Sequence, residues 1–242
     1  MSARTFFSTA LPPPGSPVEL ADDEAFHAVN VLRLAAGDAV RLLDGHGGRA
    51  EGRISQIAKA GRRFRVTVEI VSREQVPLPA CRLHLYVAPP RAKPMAHVVR
   101  ASTELGVWVI HPVICRFSVS RPDPADSWQP EAVAAAKQSG NPFLPAVSPP
   151  ADFAAALDAC RTPGWFGAVV PEGRGSLGQP TPAAAVGDLA LWIGPEGGFC
   201  NEELDALIGK GFDPLRVGPC ILRVETAVAA AIGWLYGRGC LA

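Results

Sequence analysis

Two loops that contain glycine and proline, about two dozen residues apart near the C-terminus, constrain the fold more than any other feature. The first loop, residues 194–198, follows the apolar run 189–193, and a helix pattern begins near Asn201. The second loop, residues 217–222, follows a short apolar segment and leads into an Ala-rich helix pattern over residues 225–236. A continuous apolar run is typical of a strand buried on both faces of a parallel sheet. The pattern therefore predicts two successive strand-loop-helix units.

These two loops predict a ligand site. Successive units of this kind place both loops at the carboxyl edge of one sheet, where open α/β folds bind ligands. Glycines let backbone N–H and C=O groups approach a ligand, and prolines hold the loops rigid. Either loop alone would be an ordinary connection. Together they bring four glycines and the charged residues Glu196, Arg223 and Glu225 to one edge.

The same residues resemble a known family. The run I-G-P-E-G-G-F, followed by G-P-C-I-L-R-V-E-T-A, resembles the C-terminal signature of the SPOUT class of methyltransferases. Within that class it resembles the bacterial family that methylates N3 of a uridine in small-subunit rRNA. Upstream, residues 27–33 resemble the family's H-x-x-x-V-L-R, residues 103–107 match T-E-L-G-V, and residues 137–140 stand where the family has E-Q-S-G. The resemblance covers nearly the whole chain.

The resemblance implies a fold and a cofactor. The fold class would be α/β: a C-terminal SPOUT-like α/β domain with a deep trefoil knot, and a small N-terminal PUA-like β-barrel. S-adenosylmethionine would lie in a bent form between the two loops. The residues expected to bind it are Val170, Pro171, Ile193, Gly194, Pro195, Glu196, Gly197, Gly198, Val217, Gly218, Ile221, Leu222, Glu225 and Thr226.

Two charged residues are the catalytic candidates, Glu196 and Arg223. Methyl transfer from a sulfonium to a ring nitrogen requires alignment of donor and acceptor and removal of the N–H proton. Glu196 would position the cofactor or take part in that proton transfer, or it would only cap nearby backbone N–H groups. Arg223 would pair with Glu225 or face an RNA phosphate.

Hydrophobic patterns divide the chain into two domains. Apolar runs at residues 4–8, 39–43, 50–57 and 64–71 predict a small barrel within residues 1–72, and the last run alternates strictly. Residues 73–81, which include two prolines, predict a linker. Residues 82–242 alternate between strand and helix patterns, which favours a parallel sheet. The predicted strands there include residues 83–88, 107–114, 165–170, 189–193 and 215–217, and the helices residues 94–105, 130–139 and 153–160.

Charge is segregated along a chain whose net charge is zero. Residues 41–121 carry 14 Lys or Arg against 5 Asp or Glu, whereas residues 122–215 carry 4 against 12. Such segregation creates a basic surface that can hold phosphates, or it is a set of solvated charged faces. Residues 62–65 combine three arginines with one phenylalanine, a cluster suited to RNA, although an ordinary charged hairpin would look the same. The RNA-binding candidates are Arg33, Arg62, Arg63, Arg65, Arg91, Lys93, Arg116, Gln138 and Asn141.

The sequence departs from the family at two positions. Asn141 and Cys220 stand where the family has arginine, so positive charge is lost while the cofactor loops stay intact. Two alternatives to a small-subunit rRNA (uridine-N3) methyltransferase therefore remain. One is a SPOUT methyltransferase with another RNA target, and the other is a noncatalytic RNA-binding protein with a vestigial cofactor pocket.

Other features limit the class of protein. The six cysteines show no C-x-x-C spacing and no histidines at metal-ligand spacing, so we expect reduced thiols and no metal. The segment at residues 173–178 has the form G-x-G-x-x-G, but the prolines that follow block the helix that a dinucleotide site needs. We expect no membrane span and a cytoplasmic protein, because the first residues lack a secretory signal pattern. The resemblance also implies a homodimer formed through the C-terminal domain.

Overall fold

The computed structural model describes residues 4–61, 63–122, 128–168 and 187–241. These residues form two compact units. The first unit comprises the chain up to Leu78 together with residues 133–144, and the second comprises the remaining residues from Pro79 onward. The sequence had assigned residues 133–144 to the second domain.

The first unit contains a mixed five-stranded sheet. Its strand order is β1-β3-β4-β5-β2, with β1 parallel to β3 and the other neighbours antiparallel. The long strands β4 and β5 form a hairpin, and β5 continues to Gln75, so the linker is shorter than predicted. The strands are β1 Arg4–Phe7, β2 Pro17–Glu19, β3 Ala39–Leu43, β4 Gly48–Ala60 and β5 Arg63–Gln75.

Strand β5 shows why this sheet forms. Val66, Val68 and Ile70 are buried, whereas Arg65 and Glu69 between and beside them are exposed. This alternation of period two places one face of the strand on an apolar core, as its sequence predicts. The same core includes residues from the short helix α1, Asp22–Phe26, and the π-helical turn His27–Val31, neither of which was predicted.

Three polar contacts explain why residues 133–144 belong to the first unit. Lys137 forms a 2.7 Å ion pair with Glu24, whose side chain is buried. The Gly47 N–H donates to the Pro142 carbonyl at 2.9 Å, and the Leu144 N–H donates to the Gly45 carbonyl at 3.0 Å. Burying Glu24 without its ammonium partner would be costly, so the ion pair fixes this segment on the first unit. Most of helix α3, Gln129–Ser139, lies in the segment.

The second unit contains a parallel sheet. Its described strands follow the order β12-β10-β11-β6-β7-β8, with β9 also paired to β7. The strands are β6 Leu83–Val87, β7 Val109–Ile114, β8 Ala146–Val147, β9 Ala151–Asp152, β10 Gly164–Gly167, β11 Leu189–Ile193 and β12 Asp213–Leu215. The helices are α2 Ala92–Glu104, α4 Phe153–Ala159, α5 Asn201–Gly209 and α6 Val224–Gly237.

Strand β11 lies inside this sheet and is buried along its whole length. It pairs with β10 on one side and β6 on the other, which matches its continuous apolar sequence. Strand β10 separates β11 from β12, so the two predicted units are neighbours in sequence but not in the sheet. Because all three strands are parallel, the loops after β11 and β12 still leave the same edge.

A stack of aromatic rings crosses three strands of the sheet. The Tyr86 ring lies between those of His111 and Trp192, with centroid distances of 4.3 and 4.2 Å. His111 also approaches His84, with 3.2 Å between His111 Nε2 and His84 Nδ1. Burial, with the charge of His84 as a smaller cause, lowers the pKa of His111 from its ordinary value to about 4. The His111 imidazole is therefore neutral at pH 7.

The trefoil knot stays a prediction, because the connection between β10 and β11 lies outside the described residues. The segment at residues 173–178 lies there as well. Among the described helices, none has the length and apolar character needed to cross a membrane.

Candidate active site

The two loops line one cavity of about 360 Å³ at the carboxyl edge of the parallel sheet. Ligand sites are commonly about 300 to 1,000 Å³, so the cavity is large enough for a small cofactor. Its lining combines both loops with the ends of β10, β11 and β12 and with parts of α5 and α6. The lining residues are Gly167, Ala168, Ile193, Gly194, Pro195, Glu196, Gly197, Gly198, Phe199, Asn201, Leu204, Leu215, Arg216, Val217, Gly218, Pro219, Cys220, Ile221, Leu222, Ala227 and Ala231.

Most of the predicted cofactor-binding residues lie in this lining. Glu225 and Thr226 do not, since both lie in the first turn of α6. Val170 and Pro171 lie outside the described residues. Sequence reasoning missed the contribution of β10 through Gly167 and Ala168, because it placed the end of that strand at residue 170. It also missed Arg216, which precedes the second loop.

The first loop is held by the interior of the second unit. Gly198 has a φ of +75°, a conformation that glycine adopts without strain, and its N–H donates to the Pro195 carbonyl at 2.8 Å. A Cβ on Gly194 would lie only 3.2 Å from the ring of Phe199. That ring packs against Phe153 and Phe166 of the apolar core. Glycine at position 194 thus allows the loop to close over an aromatic side chain.

A buried carboxylate fixes the exit from the first loop. Glu203 is buried, and its Oε2 accepts the Cys200 N–H at 2.9 Å. Its other oxygen accepts the Arg116 N–H at 2.7 Å. The N-cap of α5 is Cys200, one residue earlier than the Asn201 that the sequence predicts. Because hydrogen bonds to a charged acceptor are stronger than neutral ones, Glu203 ties the helix start to the segment at residues 115–118.

The second loop is more exposed and is held by one guanidinium group. Arg216 Nε donates to the Gly218 carbonyl at 3.0 Å, and its Nη2 donates to the Pro219 carbonyl at 3.3 Å. Within the described residues, no backbone N–H of residues 217–222 donates to another backbone group. These donors beside the cavity suit a ligand with ring nitrogens and hydroxyl groups, such as the adenosine part of S-adenosylmethionine.

The two catalytic candidates differ in position. Glu196 is exposed and lines the cavity. In the described part of the chain, no backbone N–H donates to its carboxylate, so the capping role considered for it is not observed. Arg223 is the exposed N-cap of α6 and does not line the cavity. Between the described Arg223 and Glu225 there is no ion pair.

The predicted RNA-binding residues are mostly at the surface. In the first unit, Arg63 and Arg65 are exposed, but each forms a surface ion pair, with Asp22 at 2.7 Å and with Glu19 at 3.0 Å. Such pairs contribute little to stability and can be exchanged for phosphate contacts. Arg62 lies outside the described residues. Also in the first unit, Arg33 and Gln138 are exposed and Asn141 is half-buried; in the second, Arg91, Lys93 and Arg116 are exposed.

The thiols are free in the structure. All six cysteines lie within the described residues and none forms a disulfide. Burial raises the pKa of the Cys115 thiol to about 12, whereas Cys220 is exposed at the cavity. The described residues contain no group of side chains arranged to hold a metal ion.

Family models and solved structures of other proteins match this chain along nearly its whole length. A family model described as an RNA methyltransferase domain matches residues 77–236, and one described as an RNA methyltransferase PUA domain matches residues 20–62. Two solved structures resemble the chain over 98% of both lengths. A putative methyltransferase from Legionella pneumophila in complex with bound SAM has a TM-score of 0.85 at 26% identity. Ribosomal RNA small subunit methyltransferase E from Neisseria gonorrhoeae, bound to S-adenosyl methionine, has a TM-score of 0.83 at 27% identity.

Sequence relatives point the same way. Ribosomal RNA small subunit methyltransferase E from Mycobacterium tuberculosis is 30% identical, covering 96% of this chain and 91% of the relative. The protein of that name from Synechocystis is 29% identical over 89% of this chain and 71% of its own length. The chain belongs to this RNA methyltransferase family, with an N-terminal PUA domain. The predicted class, a PUA-like domain followed by a SPOUT-like α/β domain, is therefore confirmed.

Proposed function

We propose that this protein transfers a methyl group from S-adenosylmethionine to N3 of a uridine in small-subunit rRNA. The observation that carries the proposal is the single cavity lined by both loops at the carboxyl edge of the parallel sheet. Relatives that cover nearly the whole chain are named small-subunit rRNA methyltransferases, which supports the RNA substrate. Two solved relatives carry the methyl donor, which supports the cofactor.

The cofactor would be held mainly by backbone groups of the two loops. Residues 217–222 offer N–H donors, and the glycines at positions 194, 197 and 218 keep side chains out of the cavity. Leu222 and Ile193 supply apolar walls. When bound, S-adenosylmethionine supplies an activated methyl group and its own leaving group. The protein therefore needs to orient the donor and acceptor and to exclude water.

Glu196 is the proposed proton acceptor. Methylation of uridine N3 forms an N–C bond and releases the N3 proton, so a base is needed beside the acceptor nitrogen. The Glu196 carboxylate is the acidic group in the described cavity lining. Arg223, exposed at the start of α6, would bind an RNA phosphate rather than act in the cavity. Four other exposed, positively charged side chains would add phosphate contacts: Arg33, Arg91, Lys93 and Arg116.

Two further expectations belong to this proposal. The protein would act in the cytoplasm, where ribosomal RNA is assembled, and it would form the homodimer that the resemblance implies. One face of α6, with Val228, Ile232 and Leu235, is already buried within the second unit. The apolar character of that helix therefore does not by itself require a partner, and light scattering would decide the oligomeric state.

The proposal is tested by methylation of defined RNA. The purified protein is incubated with tritium-labelled S-adenosylmethionine and either unmodified small-subunit rRNA or assembled small subunits, and the nucleosides are analysed by mass spectrometry. We expect 3-methyluridine at one site, and a rate of methyl transfer at saturating cofactor that is reduced about tenfold or more in Glu196→Gln. A different methylated nucleoside would show another RNA target. Cofactor or RNA binding without any methylated product would favour the noncatalytic alternative.

A further inference from the structure

An exposed aromatic side chain lies directly against the first loop. Phe117 is 49% exposed. A Cβ placed on Gly197 would lie 3.2 Å from the Cβ of Phe117 and 3.6 Å from its Cγ. The glycine at position 197 therefore leaves room for this phenylalanine. Gly197 lines the cavity, and Phe117, which is not itself in the lining, lies beside this part of the wall of the candidate active site.

The turn that carries Phe117 is tightly fixed. The Cys115 N–H donates to Ser118 Oγ at 2.9 Å, and the Ser118 N–H donates to the Cys115 carbonyl at 3.1 Å. Cys115 is buried, and the Arg116 N–H is held by the buried carboxylate of Glu203. With an anchored residue on either side, Phe117 is presented at the surface by a rigid backbone rather than by a mobile loop.

Exposure alone would be unremarkable, because single apolar residues are common on protein surfaces. The position of Phe117 is what distinguishes it. It contacts a cavity-lining glycine, and the preceding residue, Arg116, exposes a guanidinium group. An aromatic ring beside an arginine is the pairing that holds unstacked nucleotides, with the base on the ring and the phosphate on the cation. An acceptor nitrogen inside a stacked RNA helix is not accessible to groups in the cavity, so the base needs such support outside the stack.

We propose that Phe117 is a stacking platform for an unstacked base of the RNA substrate, presented at the wall of the cofactor cavity. The inference rests on the proposed function, because it takes RNA as the substrate. It adds a residue that the sequence motifs did not indicate and assigns it to base recognition rather than to cofactor binding. Arg116 contacts the phosphate of the same nucleotide.

Substitution separates stacking from a structural role. In Phe117→Ala, we expect the affinity for small-subunit rRNA to fall, and the KM for that RNA to rise, by about fivefold to 150-fold, which corresponds to loss of one base-aromatic stack. Affinity for S-adenosylmethionine, measured by calorimetry, should stay within twofold. Phe117→Trp should restore RNA affinity, since it keeps a stacking surface. Val119→Ala is the matched control, because Val119 is an exposed apolar residue two positions away.

Photocrosslinking provides a readout that does not depend on catalysis. Small-subunit rRNA transcribed with 5-iodouridine is irradiated with the wild-type protein, and crosslinked tryptic peptides are identified by mass spectrometry. We expect a crosslink on Phe117. Unchanged RNA affinity in Phe117→Ala, or crosslinks that avoid Phe117, would overturn the stacking role. A crosslink on Phe117 without any methylation by the wild type would support stacking and instead overturn the proposed function.

Discussion

The two loops of the cavity are built in opposite ways. The first loop follows a fully buried strand, closes over Phe199 and ends at a helix whose start is fixed by buried Glu203. The second loop is largely exposed, and its described side-chain support is the guanidinium of Arg216. The difference indicates a division of roles: the first loop is a rigid wall, and the second is the part that can adjust to a ligand. Substitutions at each loop should therefore affect different measured quantities.

The largest effect is expected from Glu203→Ala. It leaves two backbone N–H groups, of Cys200 and Arg116, without their charged acceptor. Each such bond contributes about 1.5 to 3 kcal/mol, so the free energy of unfolding should fall by about 3 kcal/mol in denaturant titrations. Asp205, an exposed carboxylate on the same helix, provides the control, since Asp205→Ala should change stability by less than about 0.5 kcal/mol. Equal effects at both positions would show that the first loop is not anchored in this way.

A pair of valine substitutions compares the loops directly. In Gly194→Val, the new side chain meets the Phe199 ring, and overpacking should cost about 2 kcal/mol of stability along with cofactor affinity. In Gly218→Val, the nearest atom is Leu222 Cδ1 at 4.0 Å, so stability should change by only about 0.5 kcal/mol. Cofactor affinity should still fall at least about tenfold, because Gly218 lines the cavity. Calorimetry and thermal unfolding of both variants distinguish the two outcomes; similar loss of stability in both would contradict the comparison.

Acid should lower the stability of the ring stack that joins β7 to β11, the strand that leads into the first loop. The pKa of His111 is about 4 in the folded protein and close to its ordinary value of 6.5 when unfolded. The unfolded chain thus binds more protons between these values, and the free energy of unfolding should fall as pH decreases from about 6.5 to about 4. The slope from this group cannot exceed about 1.4 kcal/mol per pH unit, because one imidazole binds at most one proton. His111→Asn should flatten the profile measured by denaturant titration; an unchanged profile would exclude the ring stack as its source.

The smallest effect is expected at Arg216. In Arg216→Ala, two hydrogen bonds to the carbonyls of the second loop are lost, but the side chain is exposed, so thermal stability should hardly change. Loss of about 1 kcal/mol of loop support should weaken cofactor binding roughly fivefold. Arg216→Lys keeps the charge without the planar fork and should behave almost like alanine. Wild-type affinity in both variants would mean that the loop keeps its shape without Arg216.

Sequence predicts the elements whose pattern repeats locally. Strand β11 was predicted with its observed bounds, because five consecutive apolar residues followed by a glycine-proline loop fit a strand covered on both faces. The alternation in β5 likewise predicted its buried face. The pairing of both loops at one cavity was predicted because parallel strands share a carboxyl edge.

Contacts between residues far apart in the sequence were not predictable. The placement of residues 133–144 depends on the ion pair of Lys137 with Glu24, two residues separated by over 100 positions. Phe117 belongs to none of the sequence motifs, and its position beside the cavity depends on the space that glycine leaves at position 197. Helix α1 escaped prediction because five residues are too short to show a helical period. The predicted roles of Arg62 in RNA binding and of Val170 and Pro171 in cofactor binding remain predictions, because these residues lie outside the described ones.

The composition of the first unit has a consequence for synthesis of the chain. A ribosome makes residues 1–78 well before residues 133–144, yet the latter carry the ammonium that neutralises buried Glu24 and the carbonyl and N–H that bond to Gly47 and Gly45. The first unit therefore stays incomplete while more than fifty residues of the second unit are synthesised. Domains usually complete their folding in the order in which they leave the ribosome. In this protein the N-terminal unit cannot finish until the methyltransferase unit is already partly made.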